Sequence, residues 1–294
     1  MERVVQDFIA YLHETKRASS NTEISYQRDL KKVISFLEKR GVGNLAEVTQ
    51  VDLQGYIGEM EHKNFASSSI SRSVASIRAL YQYLMREGVV QTDPTEGLKP
   101  PKVEKKTPEI LSVSDVDKLL KQPDQETPKG LRDIAMLELL YATGMRVSEL
   151  IHLQTTDLNL QLGYVTCHDN GKERIIPIGN VSKNALVQYV ESARGVFVKD
   201  ESEKALITNC SGKAMSRQGF WKVLKGYAED AGIQGEITPH TLRHSFAVHM
   251  LQNGADVKSV QEMLGHSDIS STQVYLGKNV SKMRDVYMKA HPRH

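Results

Sequence analysis

The sequence predicts a mainly α protein with a small β-sheet, in which an all-helical part precedes a mixed α+β part. Three observations lead to this prediction. Apolar residues recur at helical spacing through residues 1–98, a proline- and lysine-rich stretch follows, and β-type segments occur chiefly around one Asn-Gly pair between Leu158 and Pro177.

The first part is predicted to form helices, because its apolar stripes lie between recognisable start and stop signals. Gly41 and Gly88 follow two of these helices as stop residues. The predicted helices cover about Arg3–Thr15, Ser20 to just before Gly41, the segment VDLQGYIGEMEH after Thr49, and about Ser67–Glu87.

The stretch from Asp93 to Ser112 reads DPTEGLKPPKVEKKTPEILS and has no apolar period. Prolines without periodicity are typical of an extended linker. We therefore predict a helical domain over residues 1–98, a linker over 99–111 and a second domain over 112–294.

The second part begins with a helix capped by Ser112 and continues with the apolar helix LRDIAMLELLYATG, which Gly144 ends. A short helix over Val147–Leu153 starts directly after Arg146. The segment Asn170-Gly171, flanked by β-type residues, predicts a hairpin. Further elements are predicted as a helix over Ser182–Ala193, a strand at ALITN, a helix over Ser216–Ala231, a helix that His240 begins, and a terminal amphipathic segment.

The composition excludes several classes of protein. A hydrophobic fraction of 39% and a charged fraction of 25% fit a soluble globular protein. No apolar run reaches the roughly 20 residues of a membrane span, and the acidic N-terminus is unlike a signal peptide, so we expect a cytoplasmic protein without membrane insertion. The two cysteines have neither metal-ligand nor disulfide spacing. The net charge of +2 means that a nucleic-acid partner would have to meet local basic patches.

Several residue types suited to phosphate chemistry lie in the second part. His240 and Arg243 share one helix face, Leu264-Gly265-His266 forms a turn, and Tyr275 follows nine residues after that histidine. An arginine fork, imidazoles and a phenol are the groups needed to hold and attack a phosphate. Each signal has an ordinary alternative: Arg146 could pair with Glu149, Gly265 could be a helix cap, and Tyr275 could be a packing residue.

Basic residues of the first part form a second, weaker pattern. Two predicted helices carry Arg28 and Lys32, and Arg72 and Arg78, near helix starts with small hydroxyl side chains. Such residues suit phosphate contacts, although solvated helix faces have the same composition. These four residues and Arg174 of the hairpin are candidate DNA-binding residues.

The order of the segments YATGMRVSEL, GKERIIPIG, ITPHTLRHSFAVHML and LGHSDISSTQVY resembles the tyrosine recombinase (phage integrase) family over the whole chain, most of all its bacterial Xer recombinases. The resemblance implies a helical core-binding domain and an α+β catalytic domain that form a C-shaped clamp on DNA. It implies strand exchange through a 3′-phosphotyrosyl intermediate and a Holliday junction, without a metal, ATP or another cofactor.

The resemblance also implies roles for matched residues. Arg146 and Arg243 would clamp the scissile phosphate, Tyr275 would attack it, His240 and His266 would assist, and Lys172 would protonate the leaving oxygen. The family's hairpin usually reads Gly-Lys-Gly-x-Lys-Glu-Arg, whereas this chain places Asp169 where the catalytic lysine is expected. Lys172 matches the second lysine of that pattern, and it is our candidate for the general acid.

The partners implied are double-stranded DNA with a specific recombination site, a homo- or hetero-tetramer with a second Xer-type recombinase, and the septal DNA translocase that often triggers Xer systems. The terminal segment, with Val280, Met283, Tyr287 and Met288, is implied to dock on a neighbouring protomer, and intramolecular packing is its alternative. The expected role is chromosome dimer resolution. A mobile-element integrase and a catalytically silent DNA-binding relative are the alternatives.

Overall fold

The computed structural model describes residues 1–102, 109–169, 171–200, 202–265 and 286–293. Contacts between residues divide the chain into two compact units, Met1–Lys106 and Thr107–His294. The predicted linker falls at this division, although its residues 103–108 lie outside the described part.

The first unit is a helical bundle around one apolar core. Local capping fixes where its helices start: Ser19 accepts a hydrogen bond from the backbone of Thr22, and Thr49 and Asp52 form a reciprocal capping box. Its core includes the fully buried Leu30 and Ile77. The helices are α1 (Glu2–Glu14), α2 (Ser20–Lys39), α3 (Gln50–His62) and α4 (Ser67–Arg86).

The second unit begins with three helices, of which the longest is buried on almost every side. Thr127 caps this helix, and Pro128 occupies its first position, where the missing backbone N–H costs nothing. These helices are α5 (Val113–Leu120), α6 (Pro128–Thr143) and α7 (Val147–His152).

A three-stranded antiparallel sheet follows, in the order β1-β2-β3. Its strands are β1 (Leu158–Asn159), β2 (Tyr164–Asp169) and β3 (Lys172–Pro177). The register pairs Cys167 with Arg174 and Asp169 with Lys172, so these four residues share one face of the hairpin. The predicted strand at ALITN is wrong: residues 205–209 form only isolated bridges, Gln154 with Ala205 and Thr208 with Ala214.

Helices complete the second unit. They are α8 (Asn180–Gln188), which continues through a π-helical turn (Tyr189–Ala193) into α9 (Arg194–Phe197), then α10 (Arg217–Asp230), α11 (Pro239–Gln252) and α12 (Val257–Leu264). Helix α11 packs against α6 and α12, and its Phe246 is fully buried between them.

The described end of the chain packs on its own unit. Residues 286–290 are helical, and Tyr287 is fully buried with its ring stacked on His291 at 4.7 Å. Arg293 forms ion pairs with Asp117 and with the buried Glu138. Intramolecular packing, the alternative to docking on a neighbour, therefore describes residues 286–293. Val280 and Met283 lie outside the described residues.

Candidate active site

The site is built on the C-terminal turn of α12. A helix leaves its last carbonyl groups without intrahelical partners, and these groups carry the negative end of the helix dipole. Three successive carbonyls of this turn each accept a hydrogen bond from a different arginine. Arg174 Nε donates to Met263 (2.9 Å), Arg243 Nη2 to Leu264 (2.7 Å) and Arg146 Nη2 to Gly265 (3.4 Å). The turn thereby gathers three guanidinium groups that are far apart in the sequence.

Two glycines make this gathering possible. Gly144 and Gly265 both end helices in the left-handed conformation, with φ of 59° and 66°. A Cβ atom on Gly265 would lie 2.9 Å from Arg174 Nη1, and one on Gly144 would lie 2.3 Å from the ring of Phe246. Side chains at these two positions would therefore collide with the site as well as strain the backbone.

Arg243 is the most deeply placed of the three arginines. It is 7% exposed, and its Nη1 also donates to the Gly144 carbonyl at 2.6 Å. Burial and the neighbouring charge of Arg146 lower the pKa of Arg243 to about 10. At neutral pH the guanidinium remains charged, so the pocket holds concentrated positive charge that an anion would stabilise.

Glu149 holds the other two arginines in place. Its carboxylate, which is 3% exposed, accepts hydrogen bonds from Arg174 Nη1 (2.6 Å) and Nη2 (2.8 Å), from Arg146 Nη1 (3.2 Å) and from the Arg146 backbone (2.6 Å). Burial raises the pKa of Glu149, but the hydrogen bonds and charge of Arg174, with those of Arg146, outweigh it and leave the pKa below its ordinary value. The alternative partner predicted for Arg146 is thus present, and it orients Arg146 rather than removing it from the site.

The hairpin brings a further carboxylate to this cluster. Asp169, at the end of β2, accepts a hydrogen bond from Arg146 Nη1 at 3.0 Å. Lys172 lies directly opposite Asp169 across the hairpin and is exposed. Because paired residues project to one side of a sheet, Lys172 projects to the side on which Asp169 contacts Arg146.

Of the two histidine candidates, His240 lies within the described residues. His240 is exposed in the first turn of α11, which Thr238 caps. The ring of His244 lies 6.5 Å from that of His240, and burial, then His240 and Arg243, lower the pKa of His244. His266 and Tyr275 lie outside the described residues.

Sequence reasoning missed the three carbonyl groups and the pairing of Asp169 with Arg146. The contact between Glu149 and Arg146 was signalled by their spacing of three residues. The contact between Asp169 and Arg146 could have been suspected, because Asp169 stands where the family pattern has a lysine. No local pattern indicates that Met263 and Leu264 offer their carbonyl oxygens to distant arginines.

The candidate DNA-binding residues of the first unit fall into two groups. Arg72 is held by Asp29 through two hydrogen bonds (2.7 and 3.1 Å), and Arg78 donates to the Leu98 carbonyl. Arg28 and Lys32 instead line a groove between α2, α3 and the residues before α4. The lining of this basic groove also includes Lys31, Lys39, Lys63 and Phe65, together with Glu59, which forms an ion pair with Lys63.

An aromatic side chain lies among the positive charges of the basic groove. Lys32 Nζ lies 5.3 Å from the centre of the Phe65 ring, and Phe65 is 38% exposed. Exposed lysines beside an exposed aromatic ring suit contact with a nucleic-acid backbone and sugar.

The described residues also show how the chain stands with respect to membrane helices, metal clusters and its two cysteines. No described helix is long and apolar enough to cross a membrane. Among the same residues no group of three His, Cys, Asp or Glu side chains is placed to hold a metal ion. Burial raises the pKa of Cys167 to about 12, so this thiol is protonated at neutral pH, and Cys210 is exposed.

Comparison with known proteins identifies relatives for the whole chain. The phage integrase family matches residues 109–282, and the phage integrase N-terminal SAM-like domain matches residues 5–88. The chain is 45% identical to tyrosine recombinase XerD of Halalkalibacterium halodurans over 291 residues, covering 98% of this chain and 97% of that protein. It is 43% identical to tyrosine recombinase XerD of Oceanobacillus iheyensis over 296 residues, covering 100% and 99%.

The fold is also similar to a solved structure. A lambda integrase tetramer bound to a Holliday junction matches with a TM-score of 0.69 and 18% sequence identity, over 97% of this chain and 77% of that one. Both predicted parts of the fold, a helical first part and a mainly helical second part with a small sheet, are confirmed.

Proposed function

Because the chain belongs to the phage integrase family and is a site-specific tyrosine recombinase, we propose that it resolves chromosome dimers through the arginine cluster at the end of α12. The observation that carries the proposed chemistry is the convergence of Arg146 and Arg243 on adjacent carbonyls of one turn. Two guanidinium groups side by side match the non-bridging oxygens of a phosphodiester.

The proposed reaction begins with Tyr275. Its phenolic oxygen passes its proton to one of the proposed histidines, His240 or His266, and attacks the scissile phosphorus. A Tyr275 O–P bond forms, and the bond from phosphorus to the 5′ oxygen breaks. The products are a 3′-phosphotyrosyl link and a 5′-hydroxyl, which takes its proton from Lys172. A 5′-hydroxyl from the partner strand reverses the step, so the energy of the phosphodiester is stored in the link and no ATP is needed.

Stabilisation of the negative charge in the transition state is assigned to Arg146 and Arg243, whose side chains are held by the α12 turn and, for Arg146, by Glu149. Glu149 and Arg174 are proposed as positioning residues, because they hold Arg146 and the α12 turn without reaching outward. His240 and His266 are proposed to assist by hydrogen bonding to the phosphate and by proton transfer. This assignment needs no metal, since guanidinium groups supply the positive charge.

The two units receive separate roles in this proposal. Residues 1–98 form a DNA-binding domain whose basic groove, with Arg28 and Lys32, contacts the duplex backbone, and residues 112–294 form the catalytic domain. Arg72 and Arg78 are proposed chiefly to hold α4, because each is bonded within its own unit. Arg174 is reassigned from DNA contact to positioning, because Glu149 and Met263 occupy its donors.

The proposed assembly is a tetramer on two DNA duplexes, in the cytoplasm. The similar fold of a lambda integrase tetramer bound to a Holliday junction is compatible with a tetramer. A second Xer-type recombinase and a septal DNA translocase are its proposed partners. Similarity to proteins named XerD along the full chain supports this chromosomal role over that of a mobile-element integrase.

The test is to map covalent protein–DNA adducts across the genome in dividing cells. Adducts concentrated at one site opposite the replication origin, formed also by purified protein in EDTA, are the expected result. Adducts at the ends of a mobile element would support the integrase alternative. A purified protein that binds site DNA but never forms an adduct would support the silent DNA-binding alternative.

A further inference from the structure

Arg146 already binds two carboxylates on the nitrogen that faces the hairpin. Its Nη1 donates to Glu149 Oε1 at 3.2 Å and to Asp169 Oδ2 at 3.0 Å. An Nη nitrogen carries two hydrogens, so these contacts use both of them. Arg146 therefore has to give up one carboxylate before this nitrogen can donate to a phosphate.

The two carboxylates are not equally able to leave. Glu149 is 3% exposed and accepts two further hydrogen bonds from Arg174 and one from the Arg146 backbone. Moving it would leave a buried guanidinium unpaired, which is costly. The side chain of Asp169 is 39% exposed and lies at the end of β2, so water can solvate it once it is released. Asp169 is the carboxylate that can be displaced.

The charge of Asp169 reaches the whole arginine cluster. Burial is the largest influence on the pKa values of Arg174 and Arg243 and acts to lower both, whereas the charge of Asp169 acts to raise both. The pKa of Arg174 lies above its ordinary value and that of Arg243 below it. The negative charge of Asp169 thus offsets part of the positive charge gathered by the α12 turn. A phosphodiester entering the cluster carries the same sign, and the two anions cannot both lie against Arg146 without repulsion.

We propose that Asp169 is a resident anion that occupies the phosphate-binding edge of Arg146 and has to be displaced by the scissile phosphate before cleavage. This inference rests on the proposed function. It gives this chain a built-in competitor at the hairpin position where the resemblance to the family leads one to expect a lysine. The ion pair between Arg146 and Asp169 then blocks this edge of Arg146 until the scissile phosphate replaces the carboxylate.

The inference predicts a specific separation of kinetic parameters. Asp169→Asn keeps the size of the side chain and removes its charge, so it weakens the competitor. The DNA concentration that gives half-maximal adduct formation should fall about fivefold, equivalent to about 1 kcal/mol, the upper range for a partly exposed pair. The rate at saturating DNA should be unchanged or higher, and Asp169→Glu, which restores the anion, should return the half-maximal concentration towards that of the wild type.

The experiment measures single-turnover adduct formation on a nicked duplex over a range of DNA concentrations. Glu173→Gln is the matched control, because it removes the same charge from the same hairpin. Glu173 is 68% exposed and lies 3.2 Å from the ring of His168. Asp169→Ala is measured as well, so that the conclusion does not depend on one substitution, and folding of each variant is checked by thermal unfolding.

The outcomes separate this inference from the proposed function. A fall in half-maximal concentration for Asp169→Asn and Asp169→Ala, beyond that of Glu173→Gln, supports the resident anion. Equal shifts in all three would show a general charge effect and overturn it. A lower rate at saturating DNA would overturn it too, by showing that Asp169 supports Arg146 during cleavage. Absence of any adduct from the wild type would instead refute the proposed function.

Discussion

Replacing Glu149 by Gln tests whether one buried carboxylate holds the arginine cluster together. The substitution keeps the side-chain size but removes the charge, and it sets an amide against guanidinium donors that now bond to Glu149 at 2.6 and 2.8 Å. Breaking a buried ion pair by removing one partner costs about 3–5 kcal/mol. For a unit of this size each kcal/mol lowers the melting temperature by about 2–4 °C, so we expect a fall of roughly 6–20 °C.

The assay can follow the second unit alone. Trp221 is the single tryptophan of the chain and lies in α10, so its fluorescence reports unfolding of that unit. Glu173→Gln serves as the control, because it removes an exposed carboxylate from β3. A shift for Glu149→Gln below about 2 °C, or one equal to the control, would refute the assigned role, since surface substitutions usually change stability by no more than about 0.5 kcal/mol.

The same residue predicts a pH dependence. The pKa of Glu149 is lower in the folded protein than its ordinary value of 4.5. Its stabilisation is therefore fully present above pH 4.5 and is lost as the pH falls through the folded pKa. The difference in stability between wild type and Glu149→Gln should accordingly be constant near neutral pH and shrink below pH 4.5. A stability difference that grows on acidification would contradict the predicted direction of the pH dependence.

Three further predictions concern other parts of the site and the basic groove. Lys172→Ala should slow cleavage of ordinary DNA by about 10²–10⁴-fold, as expected for loss of a general acid, and a 5′-thiolate leaving group should restore most of the rate; an equal defect on both substrates would exclude this role. Gly265→Ala should lower the melting temperature followed by Trp221 fluorescence and slow adduct formation, because the new methyl group would lie 2.9 Å from Arg174 Nη1; unchanged kinetics would show that the close approach is unimportant. Lys32→Ala should weaken binding of duplex DNA and reduce its salt dependence, measured by anisotropy, whereas Arg72→Ala should mainly destabilise the first unit, measured by circular dichroism, since it leaves the buried Asp29 unpaired; the reverse assignment of the two defects would contradict our division of these residues.

The helices were predictable because their signals are local. Thr49, Ser112 and Thr238 each cap the helix that follows them, and Gly144 and Gly265 each end one. A cap acts through backbone groups two or three residues away, so sequence alone contains the information.

The predicted strand that the structure does not contain depends on interactions between distant segments. The residues ALITN have strand-like composition, but they find only bridge partners and pack as an irregular segment. Propensity could not reveal this, because a strand depends on the neighbour that pairs with it.

The proposed active site rests on residue types that the sequence contains, whereas the way those residues are held could not be predicted from it. The order of Arg146, Lys172, His240 and Arg243 indicated the chemistry, whereas the carbonyls that orient the arginines belong to α12. Backbone acceptors have no sequence signature, since every residue carries one. The burial of Tyr287 against His291 was equally hidden, because the amphipathic pattern fits an external and an internal partner alike.

The most direct test of the central claim is to trap the covalent intermediate on a nicked substrate, from which the released strand diffuses away. The wild type should form a 3′-linked adduct, and Tyr287→Phe should still form it, because that ring is fully buried. Tyr275→Phe should form none. An adduct that persists in Tyr275→Phe, or that maps to another residue by mass spectrometry, would contradict the account.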